Sequence, residues 1–473
     1  NPLSHGSMMK KWVTYEVHLA PMGYKVRRRY SDFAWLVGVL QARYVGVLIP
    51  PLPPKEGMMS KKGFLKIRMR ALHIFVNKLV LNPYLRSDSA VMDFFSVNES
   101  KAWSTTKKSV IKEQKLIAKK QQSGSGGERA LAAASAGTKP NIGVVKWNEA
   151  IDCYQLPNNT DSKISKVAQQ VSVLERLMKK VIVSSNKLVQ KSHAYAQEMG
   201  EFNVSFQALV HTEQATAVHS SDKLNSAELT QILSKMGYMF TSWHRVLKFQ
   251  PGVNQMLLHQ VLNFELRMVQ ALQDLFKQRQ TMIKAYQAAQ AALSNAELKQ
   301  QAAQTRGKHD VAKKFDKQIE AAQLGVRRCK YVVDFMTKGL FYSELERFVS
   351  DKVTAFREMM AMFAAAHHAY AKRLMDQWAL SLESIADQVD TNVSTFLFLF
   401  LCPNKNKQNS SRFHPYFRFS HSFPPAPPPF AQLRNSQTQQ QQQQQHTHAC
   451  MLFHTLSRVL DHGFPGEQYS RGA

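Results

Sequence analysis

The alternation of apolar and polar positions divides the chain into two kinds of structure. Residues 12–19, WVTYEVHL, alternate as a strand with one buried face does. A Pro-Met-Gly turn separates them from a second, basic strand over 24–30. Ser31-Asp32-Phe33 then opens a helix with Phe33, Leu36, Val37 and Leu40 at helical spacing. Pro50-Pro51-Leu52-Pro53-Pro54-Lys55 must run as extended, polyproline-like backbone. Two more helical stretches, 63–81 and 88–95, complete a small α+β domain over 1–98.

From 160 to 391 the period changes to a helical one, and Pro251 is the only proline. A 3-4 repeat runs from Ile164, Val167, Val171, Leu174 and Met178 to Phe202, Phe206 and Leu209. Among its positions only Ser185 and Ser192 are polar, which predicts one coiled-coil-like helix on the order of 70 Å long. A polar break at 211–222 ends it, and Asn225-x-x-Glu228 resembles a capping box opening the second helix. Pro251-Gly252 predicts a kink or a register shift, after which Leu257, Val261, Phe264 and Met268 resume the seam. Thr305-Arg306-Gly307-Lys308 predicts the turn into a third helix, with a seam through Phe315, Ile319, Val326, Val333, Met336 and Leu340. Three long helices with short turns predict an elongated antiparallel bundle over 160–395, and such bundles commonly dimerise through a side.

The remaining segments carry weaker patterns. Residues 99–140 are lysine-rich at 101–120 and Gly/Ser/Ala-rich afterwards, and are expected to be a linker. In 141–159 the residues Ile142, Val145, Trp147, Ile151 and Tyr154 surround Lys146, as in a short amphipathic element lying on a membrane or docked on a protein surface. Residues 396–473 hold FLFLFL, a Phe/His/Pro-rich stretch and a glutamine run at 439–445. They are expected to be a disordered tail, with the reading that they are not native coding sequence left open.

Charge changes the picture most. The 62 Lys+Arg against 34 Asp+Glu give +28, spread over the chain and densest at the front, so a polyanion is the expected partner. Without a groove-reading motif or an aromatic-studded basic sheet, nucleic acid is not expected. The composition is that of a soluble protein, and no apolar stretch reaches the roughly 20 residues of a spanning helix. Four scattered cysteines without a CxxC spacing suit free thiols in a reducing cytoplasm. Position 1 is neither an initiator Met nor part of a signal peptide, as in a chain beginning inside a domain. There is no GxGxxG, GxxxxGKS, HExxH or GxSxG, and the adjacent His367 and His368 face different ways on a helix. No enzyme, metal site or cofactor is expected.

The informative cluster is Arg27-Arg28-Arg29-Tyr30 at the end of the second strand. Strand alternation puts Arg27 and Arg29 on one face and leaves Arg28 to meet solvent or a lipid surface. A guanidinium fork grips phosphate with two parallel bonds, and a tyrosine beside it supplies a flat apolar face. Taken alone, the cluster reads by default as a solvated basic strand.

The order Arg28-Arg29-Tyr30-Ser31-Asp32-Phe33, then Pro53-Pro54-Lys55, then Arg68-Met69-Arg70-Ala71-Leu72 and Phe75 resembles the signature of the PX domain family across residues 2–97. The resemblance implies a three-stranded sheet packed on helices that binds phosphatidylinositol 3-phosphate on endosomes. It implies that Arg29 holds the 3-phosphate, Tyr30 stacks under the inositol ring, Lys55 meets the 1-phosphate and Arg68 bonds the 4- and 5-hydroxyls, with Arg70 competing for that role. The loop 56–62, carrying Met58 and Met59, would dip into the bilayer. The plain alternatives are an ion pair of Arg29 with Asp32 or Glu56, a surface role for Lys55, and Pro51-x-x-Pro54 as an SH3 ligand.

A PX domain, a linker and three long helices are together similar to the sorting nexins with BAR domains, in which a residue such as Trp378 recurs near the end of the third helix. That similarity implies a homodimer or a heterodimer with another such protein. It also implies that basic residues near the bundle tip, Arg306, Lys308, Lys313, Lys314 and Lys317, touch anionic headgroups, each contributing about 1 kcal/mol, and that the lysines of 101–120 add an electrostatic tether. The expected protein is cytoplasmic, peripheral on endosomal membranes, and senses or shapes curvature in cargo sorting. The alternative is a PX-targeted scaffold that recruits proteins without bending membrane.

Overall fold

The computed structural model describes residues 2–5, 12–20, 22–55, 62–122, 141–217, 223–306 and 309–386. Strands β1 (Pro2–His5), β2 (Trp12–Leu19) and β3 (Tyr24–Arg29) form an antiparallel sheet in that order. Gly23, at φ +72°, makes the turn between β2 and β3 in a conformation that favours glycine. Tyr15 stands opposite Arg28 and Val17 opposite Val26, so these four side chains share the buried face. That face packs on helices α1 (Tyr30–Arg43), α2 (Lys62–Leu81) and α3 (Ser89–Ser96) through Phe33, Leu36, Phe75 and Phe94. Phe33 meets Tyr15, Phe75 and Phe94 edge-on, with the Phe94 centroid 5.0 Å away.

Arg28 corrects the expectation that it faces solvent or lipid: it is 1% exposed. It occupies a core position of the sheet and donates from Nε to the Phe94 carbonyl at 3.0 Å and from Nη2 to the Val97 carbonyl at 2.6 Å. These are carbonyls at the C-terminal end of α3, where a cation is favoured. Its guanidinium carbon also lies 4.1 Å from the centroid of the Trp103 ring. Burial lowers the Arg28 pKa to about 10 against the opposing pull of Asp32.

Trp103 belongs to helix α4 (Ser100–Gln122), inside the segment expected to be a linker. Trp103 and Val110, two turns apart on one stripe, are buried, and Trp103 meets Trp35 edge-on at 5.1 Å. Lys107, between them, binds the Asp32 carboxylate at 2.6 Å. One lysine of the predicted tether is therefore a partner of the sheet domain, and 123–140 lie outside the described residues. Helix α5 (Ile142–Asp152) is capped by the Asn141 side chain, which accepts from the Gly143 and Val144 amides. Its apolar face is covered by protein, because Val144, Trp147 and Ile151 are buried.

The bundle contains helices α6 (Thr160–Ala217), α7 (Lys223–Leu247), α8 (Gln260–Thr305), α9 (His309–Gly339) and α10 (Leu345–Ala386). At Pro251-Gly252 a short helical turn, Gln250–Val253, is followed by a π-helical turn, Asn254–His259, which reset the register between α7 and α8. A second π-helical turn, Leu340–Glu344, joins α9 to α10. Only part of the α6 seam is buried within the chain. Ile164, Val171, Met178, Ser185 and Ser192, spaced by seven, are at most 9% exposed, whereas Val181, Leu188, Tyr195, Phe202 and Leu209, also spaced by seven, are 43–51% exposed. The two serines that break the seam meet polar partners: Ser185 Oγ lies 2.8 Å from His259 Nδ1, and Asn254 donates to Ser192 Oγ at 2.8 Å while His367 Nε2 lies 3.1 Å from Asn254 Oδ1. The seam thus turns polar opposite the π-helical turn of the neighbouring helix.

One apolar core continues from the sheet domain into the bundle. Trp147 lies at the junction, with Nε1 donating to the Val45 carbonyl at 3.1 Å and its ring edge-on to Tyr84 and Phe335. The Leu48 amide donates to Glu344 at 2.8 Å, Arg347 returns a bond to the Leu48 carbonyl at 3.1 Å, and Lys78 pairs with Asp351 at 3.4 Å. Near that pair Glu265 is 3% exposed, and burial pushes its carboxyl up to about 7, although Lys78 and Lys352 pull it down. A carboxyl that protonates more readily in the fold than in the unfolded chain stabilises the fold below the unfolded value of about 4.5. That contribution is lost as pH rises through about 7. Glu265→Gln is therefore expected to be more stable than the parent by about 2–3 kcal/mol above pH 7, with the difference fading toward pH 5. Melting curves of both proteins across that range check it, and a pH-independent difference would refute the assignment.

Candidate functional site

The candidate site forms where β3 runs into α1. Arg29 is the last residue of the strand and the N-cap of the helix, and its backbone amide donates to Asp32 Oδ2 at 2.8 Å, the reciprocal bond of a capping box. Asp32 is buried and its other oxygen is taken by Lys107. Burial pushes the Asp32 carboxyl up, but the Lys107 bond and the Arg29 amide outweigh this and hold it below its ordinary range. Asp32 therefore fixes the Arg29 backbone, and its two oxygens are engaged by groups other than the Arg29 guanidinium. That guanidinium is carried on an exposed residue, with its carbon 4.5 Å from the centroid of the Trp12 ring.

Tyr30 is the hub. Its hydroxyl donates to the Pro53 carbonyl, tying the polyproline segment to the start of α1 and bringing exposed Lys55 to the same end of the domain. The Arg68 guanidinium carbon lies 5.0 Å from the Tyr30 ring centroid, so of the two competing arginines it is Arg68 that meets this ring. Arg70 has its pKa lowered by burial. Burial raises the Tyr30 pKa, while Arg68 and Arg267 pull it down. The fold thus gathers Arg29, Tyr30, Pro53 and Arg68 at one end of the sheet domain. Such a set can hold a phosphorylated ring, with a cation for the phosphate and an aromatic face for the ring. Met58 and Met59 lie outside the described residues.

The basic residues of the bundle are far along the chain from this cluster. Arg306 ends the second long helix and is exposed, as are Lys313, Lys314 and Lys317 at the start of the third, while Lys308 lies outside the described residues. Two contributors escaped the sequence reading. Trp12 lies diagonally across the β2–β3 pair from Arg29, since Arg29 stands opposite Thr14, and a strand alignment drawn from the turn would have shown it. Lys107 supports the site from a segment whose lysine content hid its helix. Among the described residues no group of His, Cys, Asp and Glu is arranged to hold a metal, and no helix is long and apolar enough to cross a membrane.

Comparisons with known proteins match two parts of the chain. A family model described as the PX domain matches residues 22–98, and one described as Vps5 C terminal like matches residues 154–383. Sorting nexin mvp1 of Aspergillus oryzae is 41% identical over 103 residues, covering 22% of this chain and 14% of that protein. Human sorting nexin-7 is 32% identical over 114 residues, covering 22% of this chain and 29% of that protein. These alignments span well under a third of either relative's length. The cryo-EM structure of the SNX-BAR Mvp1 tetramer is similar in fold, with a TM-score of 0.56 at 15% identity over 80% of this chain and 97% of that one.

Proposed function

Because the chain belongs to the sorting nexins that carry a PX domain followed by a BAR-like domain, we propose that it is a membrane-trafficking protein that reads phosphatidylinositol 3-phosphate at the Tyr30 cluster. In this reading Arg29 holds the 3-phosphate and Tyr30 lies under the inositol ring. Lys55 meets the 1-phosphate, and Arg68 bonds the far hydroxyls of the ring. The observation that carries it is the convergence of Arg68 and the Pro53 backbone on Tyr30, the residue that follows exposed Arg29. The loop with Met58 and Met59 would enter the bilayer, and Arg306, Lys308, Lys313 and Lys314 would touch anionic headgroups at the bundle tip.

The bundle's part is to pair. The exposed row from Val181 to Leu209 runs for about 40 Å at the heptad spacing of a coiled-coil seam and supports a dimer, with a second copy or with another BAR-type sorting nexin. Two weak headgroup sites on one dimer share an effective concentration on a vesicle, so avidity supplies the affinity. Docking of the sheet domain on the bundle through Trp147 and Glu344 would aim both sites from a fixed angle, which suits a protein that senses or shapes curved endosomal membrane. The second reading, a scaffold that recruits proteins without bending membrane, predicts the same lipid dependence without preference for diameter.

Co-sedimentation of the full chain with vesicles of graded diameter, with and without phosphatidylinositol 3-phosphate, tests the proposal. Arg29→Ala is expected to lower binding to the lipid-containing vesicles by tenfold or more, roughly the loss of one charge-assisted pair. Binding should also rise on small vesicles. Binding indifferent to diameter supports the scaffold, and binding indifferent to both the lipid and Arg29 defeats the headgroup assignment.

A further inference from the structure

The bundle helix α8 packs against α2 of the sheet domain, and there it places a cation beside the Tyr30 cluster. Leu266 packs into the shared core and Met268 is buried, while Arg267 between them is half-buried. The Arg267 Nε is buried and has no hydrogen-bond partner among the described residues. Its guanidinium acts electrostatically on the Tyr30 hydroxyl, the same hydroxyl on which Arg68 acts. Burial lowers the Arg267 pKa, and among the described residues the group that raises it is Tyr30, a phenol that is neutral near pH 7. The Tyr15 hydroxyl, on the buried face of β2 and also in electrostatic reach of Tyr30, is a second buried polar atom without a hydrogen-bond partner among the described residues.

A cation partly withdrawn from water with no carboxylate among the described residues beside it costs stability to the protein that carries it. Functional sites are where folds break such local rules. A guanidinium satisfies a phosphate through Nε and one Nη together, so an orphaned Nε is the atom such an anion would engage. Resting on the headgroup reading given above, we propose that Arg267 of the bundle belongs to the headgroup-binding set around Tyr30, so that the phosphorylated ligand is held by both domains at once. The ligand class is a phosphorylated inositol ring, and occupancy would strengthen the docking of the sheet domain on α8.

The test is calorimetric titration of the full chain with soluble inositol 1,3-bisphosphate, with melting curves of each variant alone. Arg267→Gln is expected to weaken binding about tenfold while leaving the melting temperature unchanged or raised, since a half-buried charge with no carboxylate partner among the described residues has gone. Arg267→Lys, which keeps the charge, should recover part of the affinity, and Arg29→Ala should abolish binding. Wild-type affinity in Arg267→Gln alongside loss in Arg29→Ala overturns the proposal and leaves the headgroup reading standing. A lowered melting temperature in both Arg267 variants at wild-type affinity assigns Arg267 a purely structural role and likewise overturns it. If Arg29→Ala binds as the parent does, the headgroup reading fails and takes this proposal with it.

Discussion

Arg28→Ala is expected to destabilise the sheet domain by about 3–5 kcal/mol, while Arg29→Ala, one residue on, stays within about 0.5 kcal/mol of the parent. The first change removes a buried cation and leaves the carbonyls of Phe94 and Val97 without their donors at the end of α3. It also opens a void beneath Trp103, which loses the guanidinium plane against its ring. A loss of that size is a large fraction of the stability of a domain of about a hundred residues. Arg28→Lys should recover little, because a single ammonium cannot reach several carbonyls in the plane that a guanidinium spans. Hydrogen exchange at α3 and β3, measured in the full chain, reads the effect locally. An Arg28→Ala protein that exchanges like the parent would show that these bonds do not hold the helix end.

Trp147→Ala is the second large change, with an expected cost of about 3–5 kcal/mol concentrated at the junction of the two domains. The indole fills a space bounded by Tyr84 on one side and Phe335 on the other, and a methyl group cannot replace its bond to the Val45 carbonyl. The residue is fully buried although it belongs to neither domain's own helices. Each domain should therefore stay folded while the two separate. The Leu48 amide, which donates to Glu344 across the junction, is the reporter: its exchange should quicken in Trp147→Ala while amides in the centre of α6 are unaffected. Gly339→Ala should act in the same direction, because a Cβ there would lie 2.9 Å from Trp147 Cζ2. Protection of the Leu48 amide unchanged by either substitution would mean that the polar bonds alone hold the domains together.

The parts legible from the sequence were those with a local period. Strand β2 and helix α1 announce themselves because alternation and helical spacing are properties of neighbouring residues. The three-stranded sheet and the long bundle followed from resemblance and from proline-free length, and both are present. Arg28 was misjudged because alternation says which residues share a face, not which face turns inward. That is decided by the register with Tyr15 and Val17 across the turn. Helix α4 was hidden because its buried stripe, Trp103 and Val110, is only two residues in a run of lysines. The apolar seam of α6 gave no sign that alternate positions differ in exposure, since Ile164 and Val181 are equally apolar. Arg267 carries no signal in the sequence: one arginine among the apolar positions of a long helix reads as its solvated side.

The polar contacts inside the bundle and the apolar row outside it set different rules for sliding. Within the chain, Ser185 must face His259 and Ser192 must face Asn254, so a shift of α6 by one heptad would set Met178 against His259 or Met199 against Asn254 and leave one serine without its partner. The outer row from Val181 to Leu209 contains no such marker, and each step of seven offers a similar apolar knob. The molecule is thus pinned to one alignment with itself and permissive toward whatever lies on its flank. Exchange of one companion for another, or a shift of a companion by one heptad, would require no rearrangement of the fold.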